Sequence, residues 1–252
     1  MGTRARAPGL AEARSLFDLI EVPSGPKPMV HGVEGHRARM RTRLLTAGPD
    51  AVADHEMLEM VLFLALPRRD TKPIARLLLD RFGGFAAAIS AAPAELLAVE
   101  GVGEAGAAAL KLVQGAALRL LREEVREQPI LKDWGRLIDY LIGMLARERV
   151  EQARVLFLDS KNRLLADEIQ GRGTINHTPL YPREVVRRAL ELNASAIILV
   201  HNHPSGDPTA SREDMTMTQA VQRAASALGI ELHDHIIVAG TRWVSFRREG
   251  WL

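Results

Sequence analysis

The sequence predicts a small all-α domain followed by an α/β domain built on a mixed sheet, and three observations carry that prediction. Between residues 36 and 126 apolar side chains recur at spacings of three and four, with no competing strand-like alternation. After residue 150 the pattern changes to short apolar runs bounded by turn residues: "ARVLFLDS", "RLLADEI", "SAIILV" and "HIIVAG". Helical patterns, "PREVVRRALELN" and "SREDMTMTQAVQRAASALG", separate some of these runs, as expected for helices packed on a sheet.

The elements follow in chain order. Residues 1–31 include "EVPSGPKPMV", whose three prolines and one glycine predict a flexible lead-in outside the fold. Residues 32–128 are expected to form the helical domain, with Met57, Met60, Val61 and Leu64 on one helix face and Ile74, Leu77 and Leu78 on another. Within it "LLAVEGVGEAGAAALKL", residues 96–112, sets a Gly-Val-Gly turn between two helical patterns. This is helix-hairpin-helix-like: the glycines let backbone approach a phosphate, and the second helix presents its positive N-terminus. Glu104 at the helix start and Glu100 before the first glycine oppose that use, so a tight turn in a packing module stands as the alternative.

Arg37, Arg39, Arg41 and Arg43 in "HRARMRTR" concentrate positive charge, which suits either a solvated helix face or contact with DNA. Pro129 in "EQPILKDW" marks the expected boundary, so residues 129–252 form the second domain, opening with a helix around Leu137 to Leu145. Pro182 suits the first turn of one later helix, and Ser211 and Gly229 bound another.

Composition narrows the chemistry. The 252 residues contain no cysteine, which removes disulfides, thiolate nucleophiles and Cys-type zinc sites. Any metal must be held by His and carboxylate. Net charge is only +2, so bulk electrostatics lend little support to nucleic-acid binding. Apolar stretches such as Ile197 to Val200 fall far short of the roughly 20 residues of a spanning helix, so no membrane partner is expected. The opening "MGTRARAPGLAEAR" lacks the apolar core of a secretory signal, and a cytoplasmic location is expected.

The segment "IILVHNHPSGDPTASREDM", residues 197–215, is where chemistry concentrates. Residues two apart on a strand share a face, so His201 and His203 can converge on one ion while Asn202 points away. The run Pro204-Ser205-Gly206-Asp207-Pro208 reverses the chain and brings the next helix start back toward the histidines, making Asp214 a candidate third ligand. Two imidazoles and a carboxylate with a fourth position open suit catalytic zinc. Ser211 and Asp214 also fit a capping box, and a second pair, His233 and His235, lies on a predicted strand. The second pair has no downstream carboxylate at a helix entrance, which favours packing or hydrogen-bonding roles, with His235 near the site. His177 sits by a turn and is a weaker metal candidate.

"HNHPSGDPTASRED" resembles the H-x-H-P-x(6)-S-x-x-D signature of the JAMM, or MPN-type, metalloprotein superfamily, and specifically its bacterial RadC branch. The resemblance extends through "GTIN", "DHIIV" and the closing "VSFRREGWL", and into the helical domain through "LPRRDTKPIARLLLDRFG", covering residues 32–252. Ala210 departs from the branch, which commonly has Pro there. The resemblance implies a mixed-sheet, cytidine-deaminase-like C-terminal domain. It also implies Zn2+ held by His201, His203 and Asp214, with Ser211 supporting the tetrahedral intermediate and Glu168 accepting a proton from the attacking water. Asp167, adjacent to Glu168, is expected on the opposite strand face.

The expected activity is that of a zinc metallohydrolase of peptidase or isopeptidase type, acting on a protein or peptide. The alternative is a DNA-associated repair or recombination factor, including a metal-dependent nuclease, that binds DNA through the helical domain. A non-catalytic scaffold with a structural metal is a third reading.

Overall fold

The computed structural model describes residues 33–173 and 180–252. The lead-in expected over residues 1–31, most of "GTIN", and His177 lie outside the described residues.

Helices dominate the first part: α1 (Val33–Ala47), α2 (Asp54–Ala65), α3 (Lys72–Phe82), α4 (Phe85–Ser90), α5 (Pro93–Leu97) and α6 (Gly103–Glu127). Met40, Val52, Met60 and Phe63 form a small core there. The basic run of α1 is partly committed to this core. Arg37 is buried, donates from Nη1 to the Pro67 carbonyl at 2.5 Å and from Nη2 to the Arg69 carbonyl, and lies over the Phe63 ring. Arg43 pairs with Glu56, while Arg39 and Arg41 are exposed. In the Gly-Val-Gly turn, Gly101 and Gly103 have φ of +86° and +58°, and a Cβ on Gly101 would meet the Ile74 side chain at 3.0 Å. Glycine is required there both by conformation and by close packing.

The second part comprises α7 (Trp134–Leu145), β1 (Gln152–Leu158), β2 (Leu164–Arg172), α8 (Pro182–Glu191), β3 (Ala196–Asn202), α9 (Arg212–Ser226), β4 (Glu231–Ala239) and β5 (Arg242–Ser245). Four strands fall on the four apolar runs; β5 is four residues long, too short for its alternation to register in the sequence. The chain divides into two compact units, one running to Ala88 and over Ala92–Leu110, the other comprising Ile89–Ala91 and Lys111–Leu252. The division therefore falls inside α6 and not at 128/129. Leu121 and Val125 explain it, because both join a core with Ile130, Leu137 and Leu141.

The sheet has strand order β2-β1-β3-β4-β5, with β3 and β4 parallel and the other pairs antiparallel. A parallel pair needs a crossover, and α9 supplies it. One face, with Leu156, Leu158, Ile198 and Val200, packs on Leu137, Tyr140 and Leu141 of α7. The other, with Val155, Phe157, Ile197 and Leu199, packs on Val185 and Ala189 of α8 and Val221 and Ala225 of α9. Burial on both faces accounts for the unbroken apolar runs of β1 and β3. Among the described residues no helix is long and apolar enough to cross a membrane.

Candidate metal centre

β3 lies centrally and ends where its polar residues begin. His201 shares the face of Leu199, and Asn202 takes the opposite one. The Asn202 Oδ1 accepts from the Gln152 backbone N–H at 2.9 Å, and its Nδ2 donates to the carbonyls of Val150 and Glu148 at 3.2 and 3.3 Å. The residue between the two histidines thus fastens the segment that leads into β1. His203 continues the ladder, its N–H donating to the Val238 carbonyl at 2.8 Å. The chain then reverses through Gly206, at φ +79°, while the Asp207 Oδ1 accepts from the Thr209 amide and hydroxyl at 3.1 and 2.8 Å.

That reversal delivers α9 with Ser211 as its N-cap. The Ser211 Oγ accepts from the Asp214 N–H at 3.1 Å, and the Asp214 Oδ2 accepts from the Ser211 N–H and hydroxyl at 2.8 and 2.7 Å. This is a full capping box. It does not compete with a role at the centre, because Oδ1 lies 3.2 Å from the His201 Nε2. Oδ2 holds the helix, while Oδ1 faces His201.

The Nε2 atoms of His201 and His203 are 2.9 Å apart, and His203 Nε2 lies 3.7 Å from the Asp214 Oδ2. Tetrahedral zinc with bonds of about 2.0–2.1 Å has ligand–ligand edges of about 3.3 Å, near the 2.9 Å between the two imidazole nitrogens and the 3.2 Å from His201 Nε2 to Asp214 Oδ1. Proton placement sharpens the fit. His203 Nδ1 lies 2.7 Å from the Asp207 carbonyl, which can only accept, so Nδ1 carries a proton and the neutral ring presents a lone pair on Nε2. That lone pair faces another imidazole nitrogen and a carboxylate, a group of acceptors that a cation satisfies. Burial, opposed by Asp214 and reinforced by His203, pushes the His201 pKa down to about 4, so the ring is neutral at ordinary pH. Neutral imidazole is the form that binds metal.

Beside these groups runs a cleft of about 10 Å³, roughly the room of one water, lined by Glu151, Ala153, Leu180, His201, Asp214 and Met217. Ala153 pairs antiparallel with His201, so Glu151, two residues earlier, comes level with His203 on the same face. The structure brings Glu151, and not Glu168, to this cleft. Glu168 sits on the same face but on β2, opposite Val155, with the whole of β1 between it and β3. Its carboxylate accepts from the Arg188 Nη2 and Nε at 2.6 and 2.9 Å, and this pairing lowers its pKa. A carboxylate so held is a poor proton acceptor. Asp167 lies on the opposite face, bound to Arg154 and Tyr140.

The second histidine pair separates. His235, opposite Leu199 on β4, joins the centre, its Nε2 lying 2.8 Å from the His201 Nδ1. His233 is the extra residue of a bulge between Leu232 and Asp234 and turns instead to Asn162, at 2.6 Å, and Glu231. An H-x-H on a regular strand would share a face; the bulge breaks that alternation and is silent in the sequence.

The sequence model of the RadC-like JAB domain matches residues 131–251 of this chain. The chain is 56% identical over 213 residues to the UPF0758 protein of Rhodobacter capsulatus, covering 84% of this chain and 100% of that one. It is 50% identical over 220 residues to the UPF0758 protein SPO0054 of Ruegeria pomeroyi, covering 87% of this chain and 98% of that one.

Proposed function

The chain belongs to the RadC family, and on that premise we propose that it is a zinc-dependent metallohydrolase of peptidase or isopeptidase type acting on a protein or peptide. The observation that carries this reading is the convergence of His201, His203 and Asp214 with the His203 lone pair fixed toward its neighbours. These three would hold the ion. When bound, zinc supplies Lewis-acid polarisation of a carbonyl and eases ionisation of water. Glu151, lining the same cleft, takes the part expected of Glu168: it accepts a proton from water and returns it to the departing amine. Ser211 holds Asp214 in place, and its hydroxyl turns to the substrate oxygen only by releasing Oδ2.

DNA association through the helical domain has less support, because Arg37 and Arg43 already have internal partners and Glu104 occupies the first turn of α6. The test incubates the zinc-loaded protein with a diverse library of linear and isopeptide-linked peptides, beside duplex and single-stranded DNA, and reads cleavage by mass spectrometry. Peptide cleavage is expected from the wild type, with a loss of about a hundredfold to ten-thousandfold in Glu151→Gln at unchanged zinc content. DNA cleavage without peptide cleavage would replace this reading with the nuclease one.

A further inference from the structure

Thr218 and His235 are buried, and neither belongs to the group that would hold the ion. Thr218 stands one turn after Asp214 on α9, with Oγ1 2.6 Å from the Asp214 carbonyl oxygen and 2.6 Å from the His235 Nδ1. His235 Nε2 lies 2.8 Å from the His201 Nδ1, and the His235 ring packs at 4.4 Å on Phe246. The two links to imidazole nitrogens each alone permit either direction of hydrogen bonding. Together they permit one.

A hydroxyl has a single proton and a backbone carbonyl only accepts, so the Thr218 proton goes to the Asp214 carbonyl. Thr218 Oγ1 must then accept from His235 Nδ1–H. A neutral imidazole with its proton on Nδ1 has a bare Nε2, which accepts from His201 Nδ1–H. His201 is left with its lone pair on Nε2, the atom facing His203 and Asp214. Reversal of the chain would put a proton on that atom and block it.

We propose that Thr218 and His235 are positioning residues that fix the tautomer and ring orientation of His201 for metal binding. The inference rests on the metal reading of the site. The chain of bonds starts at the backbone of one ligand, Asp214, and ends on the ring of another, His201, so the two arms of the grip are set by one network. Partners of this kind typically govern metal affinity by about 10–100-fold. Thr218→Val keeps the shape and removes both hydrogen bonds; Thr218→Ser keeps the hydroxyl.

The experiment uses the full chain stripped of metal, zinc titration against a chromophoric chelator, and 15N NMR of the imidazole rings in the metal-free protein. The wild type is expected to show His201 protonated on Nδ1. Thr218→Val should bind zinc about 10–100-fold more weakly with a mixed His201 tautomer, and Thr218→Ser should recover both properties. Wild-type zinc affinity in Thr218→Val, or a wild-type His201 protonated on Nε2, overturns the proposal. A wild type that binds zinc no better than His203→Ala overturns the metal reading itself and this proposal with it.

Discussion

On the sheet face toward α7, Arg154 donates to the Asp167 Oδ1 at 2.9 Å from Nε, Tyr140 donates to the Asp167 Oδ2, and Arg122 donates to the Tyr140 oxygen at 3.1 Å. Every charge and hydroxyl there meets its complement within the protein. On the opposite face, His201, His203 and Asp214 turn acceptor atoms toward one another. Both clusters are polar and at least partly buried, yet only the first closes on itself. Burial of ionisable groups therefore does not by itself mark a functional site; a cluster left with unmatched acceptors is the better candidate. Asp167 and Glu168, neighbours in sequence, also end on different faces, and neither enters the cleft.

The largest effect is expected at Asp167. Asp167→Ala leaves Arg154 buried without its carboxylate and is expected to lower unfolding free energy by about 3–5 kcal/mol in urea, with zinc affinity of the folded protein unchanged. A parallel fall in zinc affinity would show that the two faces are not independent.

The two clusters titrate at opposite ends of the pH scale. The His201 pKa is lowered from 6.5 to about 4, so the unfolded chain takes up the proton first. That stability is present above pH 6.5 and lost as pH falls through 4. For the zinc-free protein the loss is up to about 3 kcal/mol. Tyr140 is raised from 10 to about 12, chiefly by burial and then by Asp167. Its stability is present below pH 10 and lost as pH rises through 12, by up to about 2 kcal/mol. Urea melts across pH should show zinc protecting the acid limb and Tyr140→Phe removing this part of the alkaline limb. Zinc protection of the alkaline limb alone would contradict the assignment.

The smallest effect belongs to Glu168→Gln. The Arg188 pair is about one-third exposed, so its removal is expected to cost less than about 1 kcal/mol. Zinc content and any peptide cleavage should persist in Glu168→Gln while Glu151→Gln loses cleavage. An inactive Glu168→Gln with full zinc would return the proton-accepting role to Glu168.

Much of this was readable from residue order. Strand alternation placed Asn202 away from His201 and put Asp167 and Glu168 on different faces, and the Pro-Ser-Gly reversal brought Asp214 back. Glu151 was not readable, because a lone Glu before a strand carries no motif and only the pairing of Ala153 with His201 sets it in the cleft. Thr218 was hidden for a similar reason: its significance depends on a strand seventeen residues further on. The arginines of α1 look alike in sequence, and only tertiary contacts separate them: Arg37 and Arg43 have hydrogen-bonding partners and Arg41 lies 6.0 Å from the centre of the Phe63 ring.

His201, His203, Asp214, Thr218 and His235 all lie on one continuous stretch from Ala196 to Ala239, the β3–α9–β4 unit. Glu151 comes from elsewhere, across β1. The residues that would hold an ion therefore form a single block of chain, whereas the proposed proton acceptor lies outside it. On the function proposed above, a substitution at residue 151 would leave a descendant of this protein able to hold the ion but without chemistry, and its signature segment would read the same in both.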